Sequence, residues 1–168
     1  SPMSRGLGDV YKRQEEADPG LGDQHDLFKT FWYTGAARLQ KTMTPDELDQ
    51  LDPGFREVGR EGSEIHLNHY LDAVSERELA GTKLNTFFDN YDLLLTPTLP
   101  ITAFDAGTEV PTGSGMDRWT RWTPFSYPFN LGRHPAASIP CGLCSNGLPA
   151  GLQICLLYTS PSPRDIGE

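Results

Sequence analysis

Two short apolar runs, residues 136–139 and 150–154, stand on either side of Asn146-Gly147. Asn-Gly between apolar segments is a strong hairpin signal, because both residues tolerate positive φ where a tight reversal needs it. The first run ends at Pro140 and Gly142, and the second starts just after Pro149. The two are expected to pair as antiparallel strands, and the rest of the chain must then supply what covers that pair.

Upstream, Leu93-Leu94-Leu95 is a continuous apolar run between Asp92 and Thr96-Pro97. Such a run reads as a central strand buried on both faces. Before it lies the longest helical pattern, residues 64–90, with Ser63 as its N-cap. Leu67, Tyr70, Leu71 and Val74 share one face, Ala80, Leu84, Phe87, Phe88 and Tyr91 another, and Gly81 between them is a place for a bend. An earlier helix is expected after Asp26, with Phe28, Phe31, Trp32 and Leu39 at helical intervals and the aromatic pair Phe31 and Trp32 read as core. Thr44-Pro45-Asp46-Glu47 is a capping box with proline at the first helical position; the helix it opens is expected to stop at Asp52-Pro53-Gly54. Residues 15–26 read as a turn-rich acidic loop and residues 97–118 as a Thr, Gly and Pro-rich loop.

Charge and cysteine usage exclude several classes. A net charge of −9, with no run of Lys or Arg, argues against nucleic-acid binding and against a basic membrane-surface helix. No apolar stretch approaches the length of a bilayer span and no signal-peptide pattern opens the chain, so a soluble, cytoplasmic protein is expected. Cys141 and Cys144 have the C-x-x-C spacing, but a turn follows them rather than a helix N-terminus, so they read as small structural residues. His66 and His69, three apart, lack a matching carboxylate and read as solvated or half-buried imidazoles. No metal and no cofactor is expected. Ser114, between Gly113 and Gly115, lacks the glycine two residues to either side that a nucleophile elbow needs.

Pro128, Asn130, Pro135-Ala136, Ser138, Pro140, Gly142, then Gly147-Leu148-Pro149 and Gly151-Leu152-Gln153, together with Tyr91-Asp92-Leu93-Leu94-Leu95-Thr96-Pro97-Thr98 upstream, resemble the closing part of the amidase signature family. The resemblance covers about residues 15–154 and implies an α/β fold: the C-terminal portion of an α/β/α core with a mixed β-sheet. It implies that the parent protein hydrolyses a small carboxamide with a serine nucleophile, a second serine on a cis peptide and a lysine, all from an earlier part of the domain. No Gly-Ser-Ser run is present here, and Lys12, Lys29, Lys41 and Lys83 sit in no such context. No catalytic residue is assigned, and the chain alone is expected to be inactive.

Trp119 to Phe125 concentrates aromatic area beside hydroxyls, a composition that suits a small-molecule pocket as well as a core. In members of the family similar to this chain, the segment just ahead of the Pro-x-Asn motif approaches the acyl side of the active site. By that position Trp122, Thr123 and Phe125 are the residues expected to touch the amide substrate. The pattern departs from the family at Gly132-Arg133, which places arginine where glycine is expected; if that position needs positive φ, arginine costs on the order of 1 kcal/mol.

Residues 1–14 and 155–168 fit neither the resemblance nor the acidic middle and are expected to be non-native or disordered. Two rivals stand beside the amidase fragment: the amidase-like subunit of a tRNA-dependent amidotransferase, and a free-standing, non-catalytic binding module. A fragment whose sheet and helix faces lack their cover is expected to be aggregated or molten in isolation.

Overall fold

A computed structural model describes residues 14–158. The hairpin forms as β2 (Ala136–Leu143) and β3 (Pro149–Cys155), antiparallel, with Ala137 opposite Ile154 and Ile139 opposite Leu152. Its turn uses Gly147 alone at positive φ (78°): the Gly147 amide donates to the Cys144 carbonyl (2.9 Å) and the Leu148 amide to the Asn146 side chain (3.2 Å). This is a type I reversal closed by a left-handed glycine, not the two-residue turn in which Asn146 also takes positive φ. A register shift falls between Pro140 and Leu143, where a proline that cannot donate to the ladder is tolerated.

The upstream strand, β1 (Leu94–Pro97), pairs antiparallel with β3, so the order is β1-β3-β2. It lies at an edge of the described sheet, with one side of its backbone unpaired among the described residues. One expectation for it is corrected: it is not buried on both faces, because only alternate residues turn inward, leaving Leu93 and Leu95 44% and 43% exposed. An apolar run carries no alternation, so it could not show that one of its faces is open. Both described pairings are antiparallel, within the α/β arrangement that the sequence implies. Cys155 ends β3 fully buried, and Leu156 donates to the Pro135 carbonyl (3.3 Å), so the strand runs past the boundary expected at 154. The expected non-native end segments otherwise fall almost wholly on residues 1–13 and 159–168, outside the described residues.

The described residues form five α-helices, two of which pack on one face of this sheet. Helix α1 (His25–Gln40) starts two residues earlier than expected, and α2 (Pro45–Asp49) carries the capping box: the Glu47 amide donates to Thr44 Oγ1 (3.4 Å) while the Thr44 amide donates to Glu47 Oε2 (2.7 Å). Asp52-Pro53, expected as a stop, instead opens α3 (Pro53–Ser63). Asp52 accepts from the Phe55 amide (3.1 Å) and Pro53 occupies the first turn. Thr44-Pro45 and Asp52-Pro53 are the same N-terminal device, since proline's missing amide is free of cost there. Ser63 therefore ends α3, its hydroxyl donating back to the Arg60 carbonyl (2.6 Å), and α4 (Leu67–Phe88) begins at His66.

Helix α4 runs unbroken through Gly81, where a Cβ would make only ordinary contact, 3.9 Å from the Gly132 Cα of α5 (Tyr127–Gly132). Its buried face is Ala73, Ala80, Leu84 and Phe88, whereas Leu67 and Leu71 of the other expected face are 70% and 51% exposed. Leu84, Phe88, Phe129 and Cys155 pack helix against sheet; Leu27, Phe28, Ala73, Tyr127 and Leu131 join α1, α4 and α5; Tyr33, Ala36 and Val58 join α1 to α3.

Arg133 caps α5 at φ 60°, ψ 31°, the left-handed conformation foreseen for that position, and the His134 amide closes the motif on the Phe129 carbonyl (3.0 Å). Arg133→Gly is expected to raise stability by about 1 kcal/mol in chemical denaturation, through relief of the left-handed strain. No gain, or a loss, would mean that the arginine side chain compensates for it.

Next to it, His134 is buried, with Nε2 on Asn85 Oδ1 (2.9 Å) and no partner for Nδ1 among the described residues. Burial pushes its pKa below the ordinary value of 6.5. The unfolded imidazole takes a proton that the folded one refuses, so stability is full above about pH 7 and falls as pH drops below about 6.5. Thermal melts from pH 7.5 to 5 are expected to show this loss, at most about 1.4 kcal/mol per pH unit for one proton, and His134→Phe is expected to flatten it. An unchanged slope in that variant would assign the effect to other groups.

Candidate functional site

The site is built where α1 crosses the 3-10 helix (Trp119–Trp122) and α5. Buried His25 at the start of α1 shares a hydrogen bond with buried Thr120 (Nε2 to Oγ1, 2.9 Å), which locks the two elements together. A second tie runs through Arg118, just ahead of the 3-10 helix, whose guanidinium meets Glu57 (2.8 Å) on α3 and Glu109 (3.5 Å) in the preceding loop. The Arg118 bond holds the Glu57 carboxyl below its usual range.

These ties frame a cavity of about 540 Å³. Phe28 and Tyr127 stack at 4.3 Å, Trp32 continues the stack on Phe28 at 5.7 Å, and Trp119 stands edge-on to Phe28 and Trp32. Phe31 closes another side beneath the Arg77 guanidinium, 4.8 Å from its ring. Thr123, Ser126 and Asn130 supply polar groups at the rim. Thr123 donates to the Tyr127 hydroxyl (3.1 Å), and burial raises the Tyr127 pKa, so that phenol stays protonated at neutral pH. The arrangement can hold a flat apolar group and bond a polar substituent beside it. Among the described residues it presents no nucleophile paired with a base.

Of the three residues expected at the substrate, the cavity gathers Thr123 alone. Trp122 packs edge-on against Phe104 and its indole donates to the Glu109 carbonyl (3.0 Å), which turns it into the 98–118 loop. Phe125 does not line the cavity; its carbonyl accepts from Gln153 Nε2 (2.9 Å), which also reaches Thr96 Oγ1 (3.0 Å). That buried glutamine pins the segment ahead of α5 to the sheet. Gly151 serves the same region, because a Cβ there would lie 2.7 Å from Thr98 Oγ1, which bonds Ser138 Oγ (2.7 Å) across the strand.

Sequence reasoning missed Phe28, Trp32, Tyr127, Ser126, Asn130 and Arg77 as cavity residues. The available signal was the crowding of Phe28, Phe31 and Trp32 on one face of α1 with Trp119 downstream. The two histidines go separate ways: His66 is the exposed N-cap of α4, while His69 meets Thr30 Oγ1 (3.1 Å). Among the described residues no group of three His, Cys, Asp or Glu is placed to hold a metal. Cys141 and Cys144 are free thiols on the hairpin, and burial pushes the Cys155 thiol up to about 12, which leaves it inert. No helix among the described residues is long and apolar enough to cross a membrane.

The amidase family model matches residues 33–156, and the chain belongs to that family. Its fold is that of the amidase signature enzymes: a solved amidase superposes with a TM-score of 0.77 at 26% identity, covering 94% of this chain and 36% of that one. The 6-aminohexanoate cyclic dimer hydrolase superposes with a TM-score of 0.72 at 22% identity, covering 98% of this chain and 37% of its own, a likeness of fold. A glutamyl-tRNA(Gln) amidotransferase subunit of Brevibacillus brevis is 42% identical over 86 residues, 51% of this chain. The chain thus matches about a sixth of the length of that curated relative, 17%.

Proposed function

We propose that this chain forms the acyl-side wall of a serine-dependent enzyme that hydrolyses a small carboxamide. The observation that carries the reading is the amidase-family match over residues 33–156, which includes the whole Trp119 to Phe125 segment and the cavity residues from Arg77 to Leu131, though not the α1 aromatics Phe28, Phe31 and Trp32. In the whole protein a serine attacks the amide carbonyl, the amine leaves, and water then frees the acid from the acyl-enzyme; oriented amides stabilise the oxyanion while a lysine and second serine move protons. The part of this chain is to bind and orient the acyl group, with Thr123 in the cavity and Trp122 and Phe125 shaping the segment behind it. Without a Ser-Ser-Lys set the chain alone is inactive. The acidic charge fits a small-molecule substrate, with neither nucleic acid nor membrane as partner, and the setting in this reading is cytoplasmic.

The 42% identity to an amidotransferase subunit favours a second reading, in which the whole protein works in such an assembly. The two are separated by expressing the longer product encoded around this sequence in its source genome. It is then assayed on free carboxamides and for glutamine-dependent amidation of glutamyl-tRNA. Hydrolysis of a carboxamide without tRNA or other subunits is expected. Amidation that requires partner subunits would install the second reading, and a product without a Ser-Ser-Lys set would leave a binding module.

A further inference from the structure

We propose that the cavity between α1, the 3-10 helix and α5 recognises a single-ring aromatic carboxamide, a substrate class that rests on the amide-hydrolase reading only for its amide group. The ring preference comes from the walls. Trp32 lines the cavity and is 46% exposed although it stacks on Phe28, so indole area remains for a ligand, and Trp119 stands at 77° to it, ready to meet a ring edge-on. Stacked and edge-to-face contacts favour an aromatic ring over an aliphatic one of the same shape. At about 540 Å³ the space has ample room for a ring with a substituent.

The polar rim selects the substituent. Ser126 is the N-cap of α5, yet its hydroxyl makes no capping bond, and Asn130 one turn on is exposed. Four residues apart on one helix, they set a hydroxyl beside a carboxamide on the same face. Together they offer donors and acceptors to a group that has both, which a carboxamide does and a carboxylate does not. Arg77, which lines the cavity, pairs with Glu78 (3.2 Å), a carboxylate that competes with an incoming anion for its guanidinium.

The test titrates the 168-residue chain with benzamide, benzoate, cyclohexanecarboxamide and toluene, read by indole fluorescence and ligand-observed NMR. Benzamide is expected to bind with Kd on the order of 1 mM, as suits so small a ligand. At least tenfold weaker binding is expected for the other three. Trp119→Leu and, separately, Asn130→Leu are expected to weaken benzamide at least fivefold, while Leu143→Ala on the hairpin leaves it unchanged. Asn130 is exposed, so its variant decides the matter even if Trp119→Leu fails to fold. Turnover is not read, so failure of the hydrolase reading leaves this result intact. Absent binding, equal binding of cyclohexanecarboxamide or toluene, or benzamide binding that survives Asn130→Leu would overturn the proposal.

Discussion

Gly62→Ala is expected to destabilise the chain by about 3 kcal/mol or more, enough to unfold much of a domain of ordinary marginal stability. A Cβ at that position would stand 1.9 Å from the Tyr33 carbonyl oxygen and 2.4 Å from its carbon. Both are main-chain atoms of α1, so no side-chain rotation relieves the clash and α1 and α3 must part. Their separation would open the cluster of Tyr33, Ala36 and Val58, of which Tyr33 is 1% and Val58 3% exposed. Gly35→Ala on α1 is the contrasting case, because a Cβ there meets nothing within 4 Å. Removing a helix-interior glycine there is expected to add about 0.5–1 kcal/mol. Denaturant titrations giving the two variants the same sign would contradict this packing.

The second large effect is self-association. Leu95, Ile154 and Ala137 form one row across the sheet, and Pro97, Leu152 and Ile139 form the next row on the same face. This face looks away from the helices, and Leu95 and Ile139 are each 43% exposed on it. All eight residues of β2, an edge strand of the described sheet, are exposed as well. A wholly apolar face next to a free strand edge invites pairing with another molecule. Light scattering over a dilution series is expected to show oligomers that dissociate on dilution, and Leu95→Lys with Ile139→Lys is expected to shift the chain strongly towards monomer. A wild-type chain that stays monomeric at high concentration would show that this face is tolerated by water.

The elements written in local chemistry are legible in the sequence. Thr44 and Glu47 announce their helix, Gly147 announces the hairpin, and the family motif points to the left-handed backbone at Arg133. Asp52-Pro53 misleads because proline after a polar residue serves both as a stop and as a start, and only packing of α3 on α1 decides between them. The strand at residues 94–97 is legible too, but its burial is overestimated, since burial depends on neighbours that periodicity does not name. The cavity is the least legible feature. Phe28, Trp32, Trp119 and Tyr127 come together through the His25 to Thr120 and Arg118 to Glu57 ties, which link positions far apart in sequence. An aromatic residue on an amphipathic helix gives no sign of whether it faces a core or a void. Trp122 and Phe125 show the converse limit, because position relative to a motif places them near the site and their contacts turn them into the loop and the sheet.

The central claim is that this chain carries the substrate wall of an amidase-family enzyme and none of its catalytic set. It is tested most directly by assaying the purified 168-residue chain for release of amine from benzamide and acetanilide. The account predicts no turnover above buffer, since removing a nucleophile and its activator costs several orders of magnitude in rate. Turnover that co-purifies with the chain and disappears on replacing one of its own serines would contradict it.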